Sequence, residues 1–168
     1  MPTQTYTPIA TQTLASAAST VTFSSISQSY TDLVVILNGG VTSGQPAVWF
    51  RINSDSASNY SFTRLTGNGT SALSSREINQ AQANVASYAG MNTTLNANII
   101  VQIMNYSNAT TNKTILSRAN LASDGLEAAV NLWRKTPEAI TNIQFLTSSG
   151  TNFAIGSTFT LYGIKAGS

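Results

Sequence analysis

Short runs of apolar and β-branched residues, each closed by a turn signal, recur along the chain from Thr20 to Ile164. Residues 33–37 are continuously apolar and end at Asn38-Gly39-Gly40, which is typical of a central strand followed by a turn. Residues 20–24 and 48–53 instead alternate between apolar and polar side chains. Runs of this length and period are too short for helices, and they predict β-strands.

The remaining runs predict most of an all-β fold. Further strands are expected near Tyr60 and over residues 96–106, 113–121, 126–133, 140–147 and 157–164. Residues 71–94 show no clear period, and residues 74–86 fit either a short helix or a meandering loop. Eight or nine strands with hardly any helix predict an antiparallel two-sheet β-sandwich, with a jelly roll favoured over a barrel.

The period of two also predicts which side chains fill the core. The aliphatic set of the strand 126–133 is expected to face inward, which places Trp133 on the opposite face. Trp49 falls on the less aliphatic face of its own strand in the same way, although core packing is the competing interpretation for both tryptophans. The residues predicted to be buried are Val34, Ile36, Phe50, Ile99, Val101, Ile103, Val130, Phe159 and Leu161.

The chain length of 168 residues fits one domain. Residues 1–8 are polar and contain Pro2 and Pro8, so we predict an extended N-terminal arm followed by a single sandwich domain over residues 9–168. No apolar run is long enough for a membrane span, and the first residues lack the pattern of a signal peptide. Synthesis in a cytoplasm is therefore expected.

The composition argues against most catalytic and metal chemistry. Cysteine and histidine are both absent, which removes thiolate and imidazole ligands and the commonest general base. Charged residues make up only 8% of the chain, against about 25% in an average soluble domain, while Ser, Thr and Asn supply 61 of the 168 residues. Basic residues are scattered apart from the pair Arg134-Lys135, so no nucleic-acid partner, membrane partner or cofactor is expected.

Three kinds of catalytic or metal-binding site are conceivable in this sequence. A Ser-Lys pair would use Lys113 or Lys165, but neither lies in a supporting motif. Asn53-Ser54-Asp55 offers oxygen ligands for calcium, yet loop hydrogen bonds explain it better. A carboxylate pair for glycoside hydrolysis would come from Asp32, Asp55, Glu77, Asp124, Glu127 and Glu138. Nothing in the sequence brings two of these acids together, so we predict that the protein is not an enzyme.

Aromatic residues are the best candidates for binding. Trp49, Tyr60, Tyr88, Tyr106 and Trp133 suit either a sugar-stacking platform or a protein interface, because aromatic side chains anchor interfaces. The residues predicted to form an interface are Trp49, Tyr60 and Trp133, together with Pro2, Thr3, Gln4, Thr5 and Tyr6 of the arm.

Three segments carry a family resemblance. Residues 32–53 combine an apolar strand, a Gly-Gly turn and Trp49-Phe50-Arg51-Ile52-Asn53, and residues 156–165 read Gly-Ser-Thr-Phe-Thr-Leu-Tyr-Gly-Ile-Lys. Asn105-Tyr106-Ser107 is followed by Lys113-Thr114. With these segments the chain resembles small jelly-roll structural proteins of tailed bacteriophage virions.

The resemblance implies a virion component without enzyme activity. Proteins of this group serve as capsid cement or decoration proteins or as parts of tail fibres and spikes. The cement role implies a major capsid protein as partner and a homotrimer as the favoured assembly. The alternative is a tail-fibre or spike module that recognises a host surface glycan. We expect the first, a cement protein on the outside of the capsid, with its polar arm lying across an adjoining subunit.

Overall fold

A computed structural model describes residues 5–165, which contain twelve strands and no helix. The strands are β1 (Tyr6–Thr13), β2 (Thr20–Phe23), β3 (Asp32–Gly39), β4 (Val48–Ile52), β5 (Tyr60–Gly67), β6 (Ala72–Gln80), β7 (Ala83–Ala86), β8 (Ala97–Ile103), β9 (Lys113–Leu121), β10 (Gly125–Trp133), β11 (Ile143–Thr147) and β12 (Thr158–Ile164). They form two antiparallel sheets packed face to face, so the predicted β-sandwich is confirmed. Within these residues no helix is present that could cross a membrane.

The two sheets differ in size. The large sheet has eight strands in the order β1-β12-β3-β8-β9-β10-β5-β6. The small sheet has four, in the order β2-β11-β4-β7. Because the small sheet covers only part of the large one, β6 lies outside the shared core, and eight of its nine residues are exposed.

Aromatic side chains from both sheets fill the centre of the sandwich. The rings of Phe50 and Phe145, in the small sheet, lie 5.0 Å apart between centroids. Phe145 packs at 5.7 Å on Phe159 of the large sheet, which also meets Phe153 edge to face at 5.1 Å. Offset and edge-to-face pairs of this kind add to the hydrophobic gain from burial. This cluster is the aromatic part of the core that joins the two sheets.

The strand count of eight or nine is wrong, because β1, β6 and β7 were not predicted. Tyr6–Pro8, predicted from the sequence as part of an extended N-terminal arm, pair with Gly163 and its neighbours in β12 as part of β1. Residues 74–86, interpreted as a helix or a loop, belong mostly to β6 and β7. β6 is rich in polar side chains and both its faces are in solvent, so its sequence has no alternation of apolar and polar residues that would predict a strand.

Seven of the nine predicted core residues are buried, but Ile36 and Val130 are not. Ile36 is 39% exposed and Val130 is 49% exposed, because both point away from the small sheet. Their side chains lie on a surface of the large sheet that no other described residue covers. That surface is the candidate for an interaction site.

Candidate interaction face

β10 presents its aliphatic side chains to solvent, the reverse of the predicted orientation. Leu126 is 61% exposed, whereas Ala129 and Trp133 are buried against the small sheet. Even Glu127 and Asn131 point inward and are buried. The apolar residues of β10 therefore alternate with a period of two, as predicted, but the alternation alone does not show which of the two faces meets the core.

Hydrogen bonds to the small sheet explain the reversal. The Asn84 backbone N–H, on β7, donates to Asn131 Oδ1 at 2.8 Å, and Asn131 Nδ2 donates to the Asn84 carbonyl oxygen at 3.0 Å. Glu127 Oε2 accepts the backbone N–H groups of Ser87, Tyr88 and Ala89 at 2.8, 2.6 and 3.3 Å. β7 is an edge strand, and these two inward side chains bind backbone groups that would otherwise be buried without partners.

Tyr60 and Trp133, predicted at an interface, lie in the core instead. Their rings stack with centroids 6.4 Å apart. Trp133 Nε1 donates to Asp55 Oδ2 at 2.7 Å, and the Tyr60 hydroxyl accepts the Ile52 N–H at 3.0 Å. Burial raises the pKa of Tyr60, so the phenol stays protonated. Both rings are buried with their polar atoms bonded, which leaves nothing for a partner to contact.

Trp49 and Tyr6 are the predicted interface aromatics that remain accessible. Trp49 is half-buried on the outer surface of the small sheet. Tyr6 is exposed on β1 and packs edge to face on Tyr162, with ring centroids 6.4 Å apart. Thr5 is exposed as well, while Pro2, Thr3 and Gln4 lie outside the described residues.

The outward side of the large sheet is the candidate site, and we call it the outer face. In the register of the sheet, Val130 stands opposite Leu116 and Ala128 stands opposite Leu65, so apolar side chains from three strands adjoin. Arg118 lies opposite Ala128 on β9. The exposed aliphatic residues of the outer face are Ile36, Leu65, Leu116, Leu126, Val130 and Leu132.

Shallow grooves cross the outer face. One, of about 460 Å³, is lined by Leu65, Leu73, Leu126 and Ala128 between β5, β6 and β10. Another, of about 400 Å³, includes Val130 and Leu132. Contiguous exposed apolar surface of this kind marks a site of interaction with another molecule.

Two of the acids that are candidates for catalysis, Asp55 and Glu138, accept structural hydrogen bonds. Burial opposes ionisation of Asp55, but donors from Asn59, Trp133 and the Ala57 backbone outweigh it, so the pKa of Asp55 is lowered. The pKa of Glu138 is lowered by hydrogen bonds from Lys135 and Asn53. Both carboxyls are therefore ionised at neutral pH, and neither suits the role of a general acid.

Loop and backbone contacts account for the calcium candidate and for Lys113 of the Ser-Lys candidates, while Lys165 lies over the ring of Tyr30. Asn53 Oδ1 accepts the N–H groups of Thr141 and Asn142 at 2.9 and 3.2 Å, and Asp55 Oδ1 accepts the Ala57 N–H at 3.0 Å. The Lys113 ammonium is buried and donates to backbone carbonyl groups of Asn108 and Thr111. In residues 5–165, no three acidic side chains cluster as metal ligands would.

No protein-family model and no curated protein matches the chain. Galectin LEC-6 of Caenorhabditis elegans is 9% identical, with a TM-score of 0.36 over 95% of this chain and 98% of that one. The PL-14 alginate lyase from Aplysia kurodai is 9% identical, with a TM-score of 0.35 over 83% and 70%. The CBM2 module of the evolved Dit of Lactobacillus casei BL23 phage J-1 is 7% identical, with a TM-score of 0.20 over 94% and 76%. These similarities are weak, and we base no functional argument on them.

Proposed function

We propose that this chain is a non-enzymatic structural protein of a bacteriophage virion, which binds the outside of the capsid as a cement or decoration protein. The observation that carries the proposal is the apolar outer face, where Leu126 and Val130 stand in solvent on β10. Its partner would be the major capsid protein, and its place of work would be the virion.

The outer face has the chemistry of a protein interface. The centres of interfaces are depleted of charged residues other than arginine, which is enriched there. The middle of this face has that composition, because Arg118 lies among aliphatic side chains. Burying exposed leucine and valine side chains contributes about 25 cal/mol per Å² of apolar surface removed from water. A large, flat partner such as a capsid lattice would cover the face as a whole.

The inward polar residues of β10 support the same proposal. Glu127 and Asn131 bind β7 and the loop after it, so the aliphatic side of β10 is fixed on the outside by the fold. An exposed apolar strand face is a solubility liability unless a partner covers it. We propose the capsid as that partner because the sequence resembles small phage structural proteins.

Two further parts belong to the proposal. A homotrimer is the favoured assembly of the free protein, and the N-terminal residues Pro2–Tyr6 are proposed to contact an adjoining capsid subunit. Tyr6 itself lies in β1, so its exposed ring would make such a contact from the rim of the large sheet.

Co-sedimentation with capsids that lack the protein tests the proposal. We expect wild-type protein to sediment with them, and Leu126→Ser with Val130→Ser to reduce its occupancy by at least about ten-fold, as expected for buried contacts worth more than 1.4 kcal/mol. Ile155→Ser is the control, because Ile155 is more exposed than Leu126 or Val130 but lies in the loop before β12. Equal loss in the control, or no loss in the double variant, would contradict docking through the outer face.

The alternative is a tail-fibre or spike module that recognises a host surface glycan. A polar cleft beside Trp49 offers hydrogen-bonding side chains to such a glycan. Electron microscopy of intact particles separates the two, because density for the protein on the tail alone would rule out the cement role.

A further inference from the structure

A narrow polar cleft lies where the small sheet ends and the large sheet continues. β7 is the last strand of the small sheet, and β5 and β6 extend beyond it. The cavity between them has a volume of about 220 Å³. Its lining includes Trp49, Phe62, Glu77, Gln80, Gln82 and Asn84.

We propose that this cleft binds a single neutral sugar ring. Carboxamide and hydroxyl groups both donate and accept hydrogen bonds, as the hydroxyl groups of a sugar do. The volume is below the roughly 300–1,000 Å³ of pockets for drug-sized ligands, which favours one ring over an extended chain.

Asn84 supplies an acceptor that the protein itself leaves unused. Its side chain is 8% exposed, and its Oδ1 atom has no hydrogen-bond partner. A buried polar atom without a partner is costly, and a ligand hydroxyl toward which the amide turns would remove that cost. The two hydrogen bonds with Asn131 fix the Asn84 backbone, so the point from which its side-chain amide projects is set before a ligand arrives.

Trp49 supplies the apolar surface that such a ligand needs. Trp49 is the direct cross-strand partner of Asn84 in the β4–β7 pairing, so both side chains project from the same face of the small sheet. The indole is only half-buried, which leaves part of the ring accessible from the cleft. Its flat apolar ring beside fixed amides matches a sugar, which has C–H groups on one face and hydroxyls around its edge.

The charges around the cleft exclude an anionic ligand. Glu77 is the charged residue among those that line the described cavity, and its carboxylate repels anions. Arg51 lies nearby, but its guanidinium donates to the Ala81 carbonyl oxygen and to Gln82 Oε1 at 3.4 and 3.5 Å. No unengaged cation is therefore offered to a phosphate or a sulfate within the described lining.

The cleft shares Phe62 and Glu77 with the groove beside Val130 and Leu132, but Trp49, Gln82 and Asn84 lie outside that groove. Sugar binding through these three residues does not depend on capsid binding. A sugar site would suit a protein on the surface of a capsid as well as one on a tail. Failure of sugar binding and failure of capsid binding are therefore distinguishable, because the two experiments use different surfaces and different variants.

The two tryptophan side chains make a direct test by NMR. Glucose, galactose, mannose and N-acetylglucosamine are titrated singly into the full-length protein while the indole N–H signals are followed. We expect at least one sugar to shift the Trp49 signal saturably, with weak affinity. The Trp133 signal should stay in place, because that indole is buried and bonded to Asp55. It also reports that the core is intact.

Two variants test the proposed contacts. Asn84→Ala and Gln82→Ala should each lower the affinity for the sugar, measured from the titration of the Trp49 signal, by about ten-fold. Arg118→Ala, on the outer face, is the matched control and should leave it unchanged. Gln82→Ala keeps the test valid if Asn84→Ala disturbs the fold and moves the Trp133 signal. The proposal is overturned if no sugar shifts Trp49 selectively, if neither variant weakens the shift, or if only a short Ser/Gln-rich peptide produces it.

Discussion

Asn131 on β10 binds Asn84 on β7 through both polar groups of the Asn84 backbone, at 2.8 and 3.0 Å. The same side chain thus closes the free edge of the small sheet and fixes the polar side of β10 in the core. The aliphatic side of β10 is left on the outside as a consequence. One hydrogen-bonded pair therefore links the stability of the sandwich to its candidate interaction face.

Asn131→Leu should destabilise the protein although it adds an apolar side chain to the core. The substitution leaves a buried N–H and a buried C=O of Asn84 without partners, and each costs about 1–3 kcal/mol. We expect the free energy of unfolding to fall by at least about 2 kcal/mol in urea titrations. Thr114→Ala, on the exposed side of β9, is the control and should change it little. A neutral Asn131→Leu would show that water replaces the lost bonds.

Phe159→Ala and Val130→Ala should differ strongly, although the sequence predicts both residues in the core. Phe159 is fully buried between Phe145 and Phe153, so its truncation should cost about 3–5 kcal/mol. Val130 is half in solvent, and its truncation should cost less than about 1 kcal/mol. Chemical denaturation of the two variants measures both values. Similar losses would mean that Val130 is buried in solution.

The strands that the sequence predicts well have their apolar residues on the core side. β8 and β12 are examples, since Ile99, Val101 and Ile103 share one buried face and Phe159 and Leu161 share another. A period of two is a local signal, and in these strands the local signal and the tertiary packing agree.

The parts of the fold and of the candidate site that the sequence does not predict depend on contacts between residues that are distant in sequence. The parity of β10 follows from Asn131 and Glu127 binding residues about 40 positions earlier, which no local pattern reveals. β6 was missed because both its faces are in solvent and its side chains are mostly polar. Trp49 was predicted as a binding residue, but Asn84 and Gln82 beside it carry no sequence signal, because Asn and Gln occur throughout this chain.

Acid should weaken the protein partly through Asp55. The folded state lowers the pKa of this carboxyl below its ordinary value of 3.8, so the folded state binds protons less readily than the unfolded state. The resulting stabilisation is present above pH 3.8 and is lost as the pH falls through the lowered pKa of the folded state. Asp55→Asn should flatten this part of the curve of unfolding free energy against pH.

A control from the same loop makes the Asp55 test specific. Ser56→Ala removes an exposed hydroxyl and should keep the acid dependence of the wild type. Trp133→Phe removes the indole N–H that donates to Asp55 Oδ2, and it should flatten the dependence in part. An Asp55→Asn variant with an unchanged pH profile would assign the acid sensitivity to other carboxyls.

Binding through the outer face should depend little on salt. Raising ionic strength from 0.1 to 1 M shortens the Debye length from about 10 Å to about 3 Å, which screens charged contacts and leaves apolar contacts intact. The outer face consists mostly of aliphatic and neutral polar side chains, with Arg118 in its middle and Arg76 and Glu77 beside the groove that includes Val130 and Leu132. We therefore expect capsid occupancy to change by less than about two-fold across that range, and sulfate to strengthen binding if it changes it at all.

Two variants on the outer face separate the apolar contribution from the charged one. Arg118→Ala removes the central cation and should leave both occupancy and its salt dependence nearly unchanged. Leu126→Glu places a charge where apolar surface would be buried, and it should abolish occupancy at every salt concentration because the carboxylate loses its water on docking. A steep loss of wild-type occupancy with salt, removed by Arg118→Ala, would mean that this cation and not the aliphatic surface holds the partner.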